Sequence, residues 1–335
     1  MNNTKEIILS IVIITKNEEE NIEKCIKSIQ NNCGSIPLSN LEVIVIDSNS
    51  TDNTRDTVLK LEKLIQNIYL YNITKSSQYS ASLSRSEGLK LAKGKYVLFL
   101  DGDMEMKEGF LDEAIKFLKT AEADTIGIIG IRNDFYYDDG ELVNTKRNVY
   151  NTLKLSECKH FGGAILFEKA KLIKVGGYDN KILASEEPEL YLRLKDVGLK
   201  VFELPIEMID HNIEVSHNES VVRKLFRIRS KGIGQSFYKT VKEKRGIYLF
   251  THKPLSIFFI PTIIILFTLI LGSLFLVTFN SVFLGSLSLI NIVGMIFFVG
   301  SKSFKQYIYT TLNFPIILYG VLSYRNVSYS IRKVD

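Results

Sequence analysis

Two carboxylates separated by a single glycine, Asp101 and Asp103, close the apolar stretch in YVLFLDGDMEM. Like charges that near repel one another and raise each other's pKa, so the pair needs a cation or another strong compensating group. Hard divalent ions such as Mg²⁺ and Mn²⁺ prefer carboxylate oxygens, and Mg²⁺ fills the rest of its shell with water and substrate phosphates. Gly102 lets the backbone turn between the two acids without a side chain obstructing a phosphate. An Asp-Gly-Asp triplet also occurs in ordinary surface turns, so its meaning depends on the elements that carry it.

Those elements alternate. The β-branched run 7–15 is too short to span a membrane and predicts a buried strand. NEEENIEKCIKSIQ follows, with Ile22, Cys25, Ile26 and Ile29 at helical spacing. LEVIVID (41–47) predicts a second strand, and Ser50 or Thr51 is placed to cap the next helix. IYLYN (68–72) is a third strand, Tyr79 to Ala92 a helix, and KYVLFLD a fourth strand. This alternation builds a mostly parallel sheet through right-handed crossovers, with ligands at the carboxyl ends of the strands. Those ends carry Thr15-Lys16-Asn17-Glu18, Asp47-Ser48-Asn49-Ser50 and Asp101-Gly102-Asp103, so polar groups from three strands converge on one rim. Beyond residue 125 the pattern loosens. TIGIIGI predicts a strand, RNDFYYDDGELVNTKRNVYN an irregular segment, and HFGGAILFEKAKLIKVGGYDN a strand, a short helix and a Gly-Gly turn. SEEPELYLRLKDVG predicts a helix with Pro188 in its first turn and a Glu189–Arg193 pair at i+4, and KVFELP a last strand.

Composition changes along the 335 residues. From Pro254 to Ser301 there is no Asp, Glu, Lys, Arg or His, and a second uncharged run covers residues 306–324. A spanning helix needs roughly 20 apolar residues, so the first run accommodates two spans, 255–278 and 281–300. Residues 306–324 form either a third span or an interfacial segment; a third span would put Arg325, Arg332 and Lys333 outside, against the positive-inside rule. Between Arg223 and Lys253 ten basic residues face one acid, Glu243, a composition that marks a cytoplasmic flank attracted to anionic headgroups. Cys25, Cys33 and Cys158 have neither metal-ligand spacing nor an even count, which fits a reducing compartment. The N-terminal apolar run is short and leads into acids, unlike a signal peptide.

Four stretches in order, SIVIITKNEEENI, EVIVIDSNSTDNT, SRSEGLKLAKGKYVLFLDGDMEM and GGYDNKILASEEPELYLRL, resemble the family-2 glycosyltransferases of the GT-A fold over about residues 7 to 205. The resemblance implies an inverting enzyme that uses a nucleotide-diphosphate sugar, with UDP-sugars favoured, and a divalent cation, Mn²⁺ or Mg²⁺. On this resemblance Thr15, Asn17 and Glu18 line the nucleotide pocket, Asp47 accepts from the base with Ser48 beside it, and Arg85, Asp101 and Gly102 approach the diphosphate. Arg85 has an alternative, pairing with Glu87 or Asp103. Asp101, Asp103 and His211 are the implied metal ligands, with Asp103 the more direct; His217 follows nearby. Glu187 takes the place of the catalytic base, where the family usually has aspartate, and Phe161, Gly162, Gly163 and Glu186 face the acceptor.

The expected fold class is therefore α/β, a GT-A Rossmann-like, mostly parallel sheet followed by a C-terminal transmembrane helical region. It divides into a catalytic domain (1–218), a basic amphipathic juxtamembrane segment (219–253), a membrane region (254–324) and a tail (325–335). The expected partners are the donor, a lipid-linked saccharide acceptor and the membrane, with no nucleic acid. The expected location is the cytoplasmic membrane, multi-pass, with the catalytic domain inside. Direct transfer to a polyprenyl phosphate is the alternative within the fold, and a non-catalytic membrane scaffold the alternative outside it. A dehalogenase-like phosphatase also begins with strand then Asp-x-Asp, but here Glu105 stands where Thr or Val would be and about 95 residues precede the motif. The absence of tryptophan, and of a Gln-x-x-Arg-Trp motif, argues against processive polymer synthesis.

Overall fold

A computed structural model describes residues 6–63, 65–215, 219–245 and 315–334. The chain forms two units, Met1–Val222 with Asn326–Asp335, and Arg223–Arg325.

In the first unit, β1 (Leu9–Thr15) and β2 (Leu41–Asp47) are buried along their whole length, as their continuous apolar runs predict. They join β3 (Ile68–Ser76) and β4 (Tyr96–Asp101) in a parallel group of order β3-β2-β1-β4. Helices α1 (Ile22–Asn31), α2 (Thr54–Glu62) and α3 (Ala81–Leu91) make the crossovers, and α1 buries Ile22, Cys25, Ile26 and Ile29, the stripe its spacing predicts. Ser10, the polar residue inside the first apolar run, donates to Glu42 at 2.6 Å and accepts from the Gly94 amide at 2.8 Å, so its burial leaves no unpaired group. Neither Ser50 nor Thr51 caps α2. The Asp52 carboxylate takes the Thr54 amide and hydroxyl instead, because the Ser50 hydroxyl is drawn to Asp47.

The rest of the sheet departs from the mostly parallel expectation. Its elements are β5 (Met104–Met106), α4 (Phe110–Thr120), β6 (Thr125–Asp138), β7 (Glu141–Lys146), β8 (Ser156–Glu157), β9 (Ile165–Glu168), α5 (Lys169–Lys174), α6 (Glu186–Asp196) and β10 (Lys200–Glu214). The order continues β4-β9-β6-β10-β5, with β9 antiparallel to both neighbours and β5 antiparallel to β10. No helix separates β6 from β9, so the chain returns antiparallel rather than through a parallel crossover. The sheet is mixed. β6 and β10 pair in parallel far past the core, from Lys200↔Thr125 to Glu214↔Tyr137. Residues 132–138 are therefore strand rather than irregular, and the last strand is much longer than KVFELP.

The C-terminal tail is also part of this unit. Strand β11 (Tyr329–Lys333) pairs antiparallel with β3 and covers that edge of the sheet. The Tyr329 hydroxyl donates to Glu87 at 2.6 Å, anchoring the strand to α3.

The second unit contains most of α7 (Glu219–Lys242) and a helix α8 over residues 315–322. The expected spans 255–278 and 281–300 lie outside the described residues, as does His217. Among the described residues no helix is long and apolar enough to cross a membrane. Cys25, Cys33 and Cys158 are free.

Candidate active site

Parallel registration sets Thr15 and Asp47, at the ends of β1 and β2, beside Asn72 within β3. The loops beyond them are stitched together. The Asn17 amide donates to Ser50 at 2.8 Å, Asn17 Oδ1 accepts from the Thr51 amide at 2.9 Å, and the Glu18 amide donates to Thr54 Oγ1 at 2.8 Å. Asn17 and Asn49 both adopt positive φ, which asparagine tolerates better than most residues. Asp47 is fully buried, and its two oxygens accept from the Ser50 hydroxyl and amide. These bonds hold the shape of the loop that follows the strand end. Ser48 is likewise turned inward, sharing a 2.9 Å hydrogen bond with Ser84.

Arg85, on α3 and 2% exposed, is the hub of the rim. Its Nη1 donates to Glu186 at 2.6 Å and Glu187 at 3.1 Å, and its Nη2 donates to Asp101 at 2.7 Å. The Tyr178 ring packs against the guanidinium, 5.5 Å from its centroid. Arg85 thus pairs with neither Glu87 nor Asp103. Asp101 Oδ1 is engaged by Arg85, so a metal at Asp101 would share that carboxylate with the guanidinium. Glu186, expected to face the acceptor, is buried on Arg85, while Glu187 stays partly exposed. Gly163 is required by this ion pair, since a Cβ there would stand 2.5 Å from both Arg85 Nη2 and Asp101 Oδ2. A Cβ at Gly162 would strike the Tyr150 hydroxyl at 2.6 Å. Phe161 is buried and packs edge-on against Phe167 in the core.

The opposite side of the Asp-Gly-Asp turn is built by the strand extensions. In the ladders of β10, His211 lies opposite Asp134 on β6 and Met104 on β5. This brings His211 Nε2 within 3.1 Å of Asp103 Oδ2 and Nδ1 within 3.2 Å of Asp134 Oδ1. Arg132 grips the same Asp134 carboxylate at 2.6 and 3.2 Å. Burial opposes charge on His211, but the hydrogen bond and charge of Asp103 outweigh it and raise the imidazole pKa. Asp134 was missed from sequence because RNDFYYDDG shows no strand alternation.

Carboxylates here outnumber cations. Burial, then the neighbouring Glu187 charge, raises the pKa of Glu186 despite Arg85. Glu18 packs beside Gly102 and rises to about 7, chiefly by burial and further by Asp103, Asp101 and Asp52. A folded-state pKa above the unfolded value means that the folded chain binds the extra proton, so Glu18 lowers stability as pH rises from the ordinary glutamate range to about 7. Glu18→Gln is therefore expected to raise Tm relative to wild type above pH 7, with the gap closing toward pH 4.5. A pH-independent difference in melting curves would contradict the assignment.

Buried polar atoms without a partner concentrate at this rim. Among the described residues they are Thr15 Oγ1, Asn72 Oδ1, Arg85 Nε, Asp103 Oδ1, Tyr178 Oη and the more distant Asp124 Oδ1. Native interiors rarely leave such groups unpaired, and a cluster of them suits a ligand that supplies both donors and acceptors. No three carboxylate, imidazole or thiolate groups converge as a complete metal cage among the described residues.

The glycosyl transferase family 2 pattern matches residues 10–177, half of the chain. The chain belongs to that family. Among curated relatives, glycosyltransferase AglE of Haloferax volcanii is 22% identical over 57% of this chain and 62% of its own length. A Methanococcus voltae dolichyl N-acetyl-alpha-D-glucosaminyl phosphate 3-beta-D-2,3-diacetamido-2,3-dideoxy-beta-D-glucuronosyltransferase is 26% identical over 65% of this chain and 66% of its own. The chain thus spans about three-fifths to two-thirds of these relatives. Among solved structures, the mannosyltransferase PcManGT of Pyrobaculum calidifontis, in complex with GDP-Man and Mn²⁺, shares the fold with a TM-score of 0.51. It is 19% identical, over 71% of this chain and 65% of that one.

Proposed function

We propose that this chain is an inverting glycosyltransferase that moves one sugar from a nucleotide-diphosphate donor, a UDP-sugar by preference, to a lipid-linked saccharide in cell-surface glycan synthesis. The observation that carries the proposal is the Arg85 hub. One guanidinium joins Asp101 of the Asp-Gly-Asp turn to Glu187 at the start of α6, so donor side and base side are held in one unit. Thr15 and Asn72 offer unpartnered polar atoms to the nucleotide, with Asn17 and Glu18 shaping the adjoining loop. Glu187 removes the acceptor hydroxyl proton as that oxygen attacks the anomeric carbon, and Glu186 and Arg85 fix its position.

A divalent cation fits the residues present. Asp103 Oδ1 is buried without a partner and His211 lies beside the same carboxylate, a two-donor set that leaves the remaining positions to phosphate oxygens and water. When bound, such an ion offsets charge on the diphosphate leaving group. Asp134 orients the His211 ring from its far nitrogen, and ligand-orienting partners of this kind typically contribute about 10–100-fold in metal affinity. Asp134→Asn is expected to weaken Mn²⁺ binding by about that factor in a direct titration of the metal. Unchanged affinity would remove Asp134 from that role.

The curated relatives named for dolichyl phosphate and, in Campylobacter jejuni, for GalNAc(5)-diNAcBac-PP-undecaprenol support a lipid-linked acceptor. The uncharged run 254–301 and the basic segment before it support a cytoplasmic-membrane location with the catalytic unit inside. The test is a thermal-shift series with UDP-, GDP-, dTDP- and CMP-sugars, each with Mn²⁺ or chelator. A metal-dependent shift with one nucleotide, lost in Asp103→Ala, and a lipid-extractable labelled product are the expected results. Folded protein with no shift from any donor would leave the scaffold reading instead.

A further inference from the structure

Helices α7 and α8 carry an exposed apolar surface of their own. They pack at glycines: a Cβ on Gly234 would meet the Ile317 carbonyl, and one on Gly320 the Lys231 carbonyl, so the two backbones touch. Tyr238 and Tyr324 add a ring contact at 5.3 Å between centroids. With Ile317 and Gly320 turned toward α7, the opposite face of α8 presents Leu318, Tyr319 and Leu322, the last 76% exposed, and α7 presents Tyr238 and Val241 nearby in sequence to Lys242. The exposed rings sit beside ammonium groups. Lys231 lies over Tyr319 at 5.3 Å and Lys242 over Tyr238 at 5.8 Å.

We infer that α7 and α8 form one plate lying in the headgroup layer of an anionic leaflet, and that the helix over residues 315–322 lies along the bilayer surface instead of crossing it. Exposed leucine and tyrosine beside lysine suit the boundary between acyl chains and headgroups, where rings enter the boundary and ammonium groups remain at the phosphates. The charge supports a lipid occupant over a second copy of the chain: ten basic residues against one acid between Arg223 and Lys253 oppose self-association and favour anionic phosphate. The position of the tail is an independent observation. Five residues after Ser323 the chain is again hydrogen-bonded to the catalytic sheet, Ser77 donating its amide to the Ser328 carbonyl at 2.9 Å, and β11 continues along β3. If 255–278 and 281–300 both cross, a further crossing that includes 315–322 would leave β11 and β3 on opposite sides of the bilayer, which their pairing forbids. An even number of crossings also keeps Arg325, Arg332 and Lys333 inside, removing the conflict with the positive-inside rule.

The inference rests on the membrane location proposed above, and its test is separable from donor binding. The chain has no tryptophan, so Leu322→Trp in the full chain, reconstituted into phosphatidylglycerol-containing vesicles, is a single fluorophore. Lipids brominated near the ester end of the acyl chain are expected to quench it more than lipids brominated near the methyl end. Stronger quenching by the deep label would mean a crossing segment, and no quenching by either would mean that something other than lipid covers α8; each overturns the inference. Tyr319→Trp repeats the measurement should the first variant fold poorly. A retained nucleotide-sugar shift without quenching sinks only the lipid surface, and quenching without any such shift sinks only the glycosyltransferase reading.

Discussion

Glu187→Gln is expected to lower kcat by about 10²–10⁴-fold while donor affinity and Tm stay near wild type. Glutamine keeps the side chain's shape and an oxygen for the 3.1 Å bond from Arg85, so the hub loses little. What it cannot do is take a proton. Two adjacent glutamates compete for this role, and the structure separates them. Glu186 is 4% exposed and bound tightly to Arg85, and burial inclines it to hold its own proton, which unfits it as a base. Glu187 retains exposed surface from which to meet an acceptor hydroxyl. Glu186→Gln is therefore expected to reduce kcat far less. Single-turnover rates with saturating donor distinguish the two, and a larger loss in Glu186→Gln than in Glu187→Gln would assign the base to the wrong residue.

The site's first half was legible because each of its residues sits at the end of a strongly patterned strand. LEVIVID and YVLFLD announce β2 and β4 by continuous apolar character, and parallel pairing then sets Asp47 opposite Thr15 and Asp101 opposite Ile14 without further information. Where those side chains turn was not legible. Asp47 and Ser50 satisfy each other across a loop, and Arg85 selects Asp101, Glu186 and Glu187 over the nearer-in-sequence Glu87, because those choices depend on packing from distant segments. The second half failed at the level of elements. β6 and β10 continue past the core through half-buried polar residues with no period-two signal, so neither the mixed sheet nor the Asp134–His211 pair could be read from pattern. The return of β11 to β3 was hidden for another reason, since a five-residue strand more than 250 residues from its partner leaves no local trace.

Arg85→Met is expected to cost about 3–5 kcal/mol of stability, the usual consequence of removing one side of a buried ion pair, as well as nearly all activity. The change in shape is small, since methionine follows much of the arginine stem. The change in charge is not. Asp101, Glu186 and Glu187 all bond to this guanidinium, and without it three carboxylates share a pocket in which Glu186 has almost no access to water. Protonation then becomes the main relief, and Glu186, already raised by burial and the Glu187 charge, loses the guanidinium that held it down. Stability of the variant should accordingly be least impaired at acidic pH and fall further as pH rises toward neutrality. A second substitution tests the charge argument directly: Glu186→Gln in the Arg85→Met background removes one repelling charge and is expected to recover part of the loss. Chemical denaturation of wild type, both single variants and the double variant gives the coupling energy between the two positions. Strictly additive losses would show that Arg85 acts through its packed stem and the Tyr178 ring, and that the ion-pair hub is not what joins the two sides of the site.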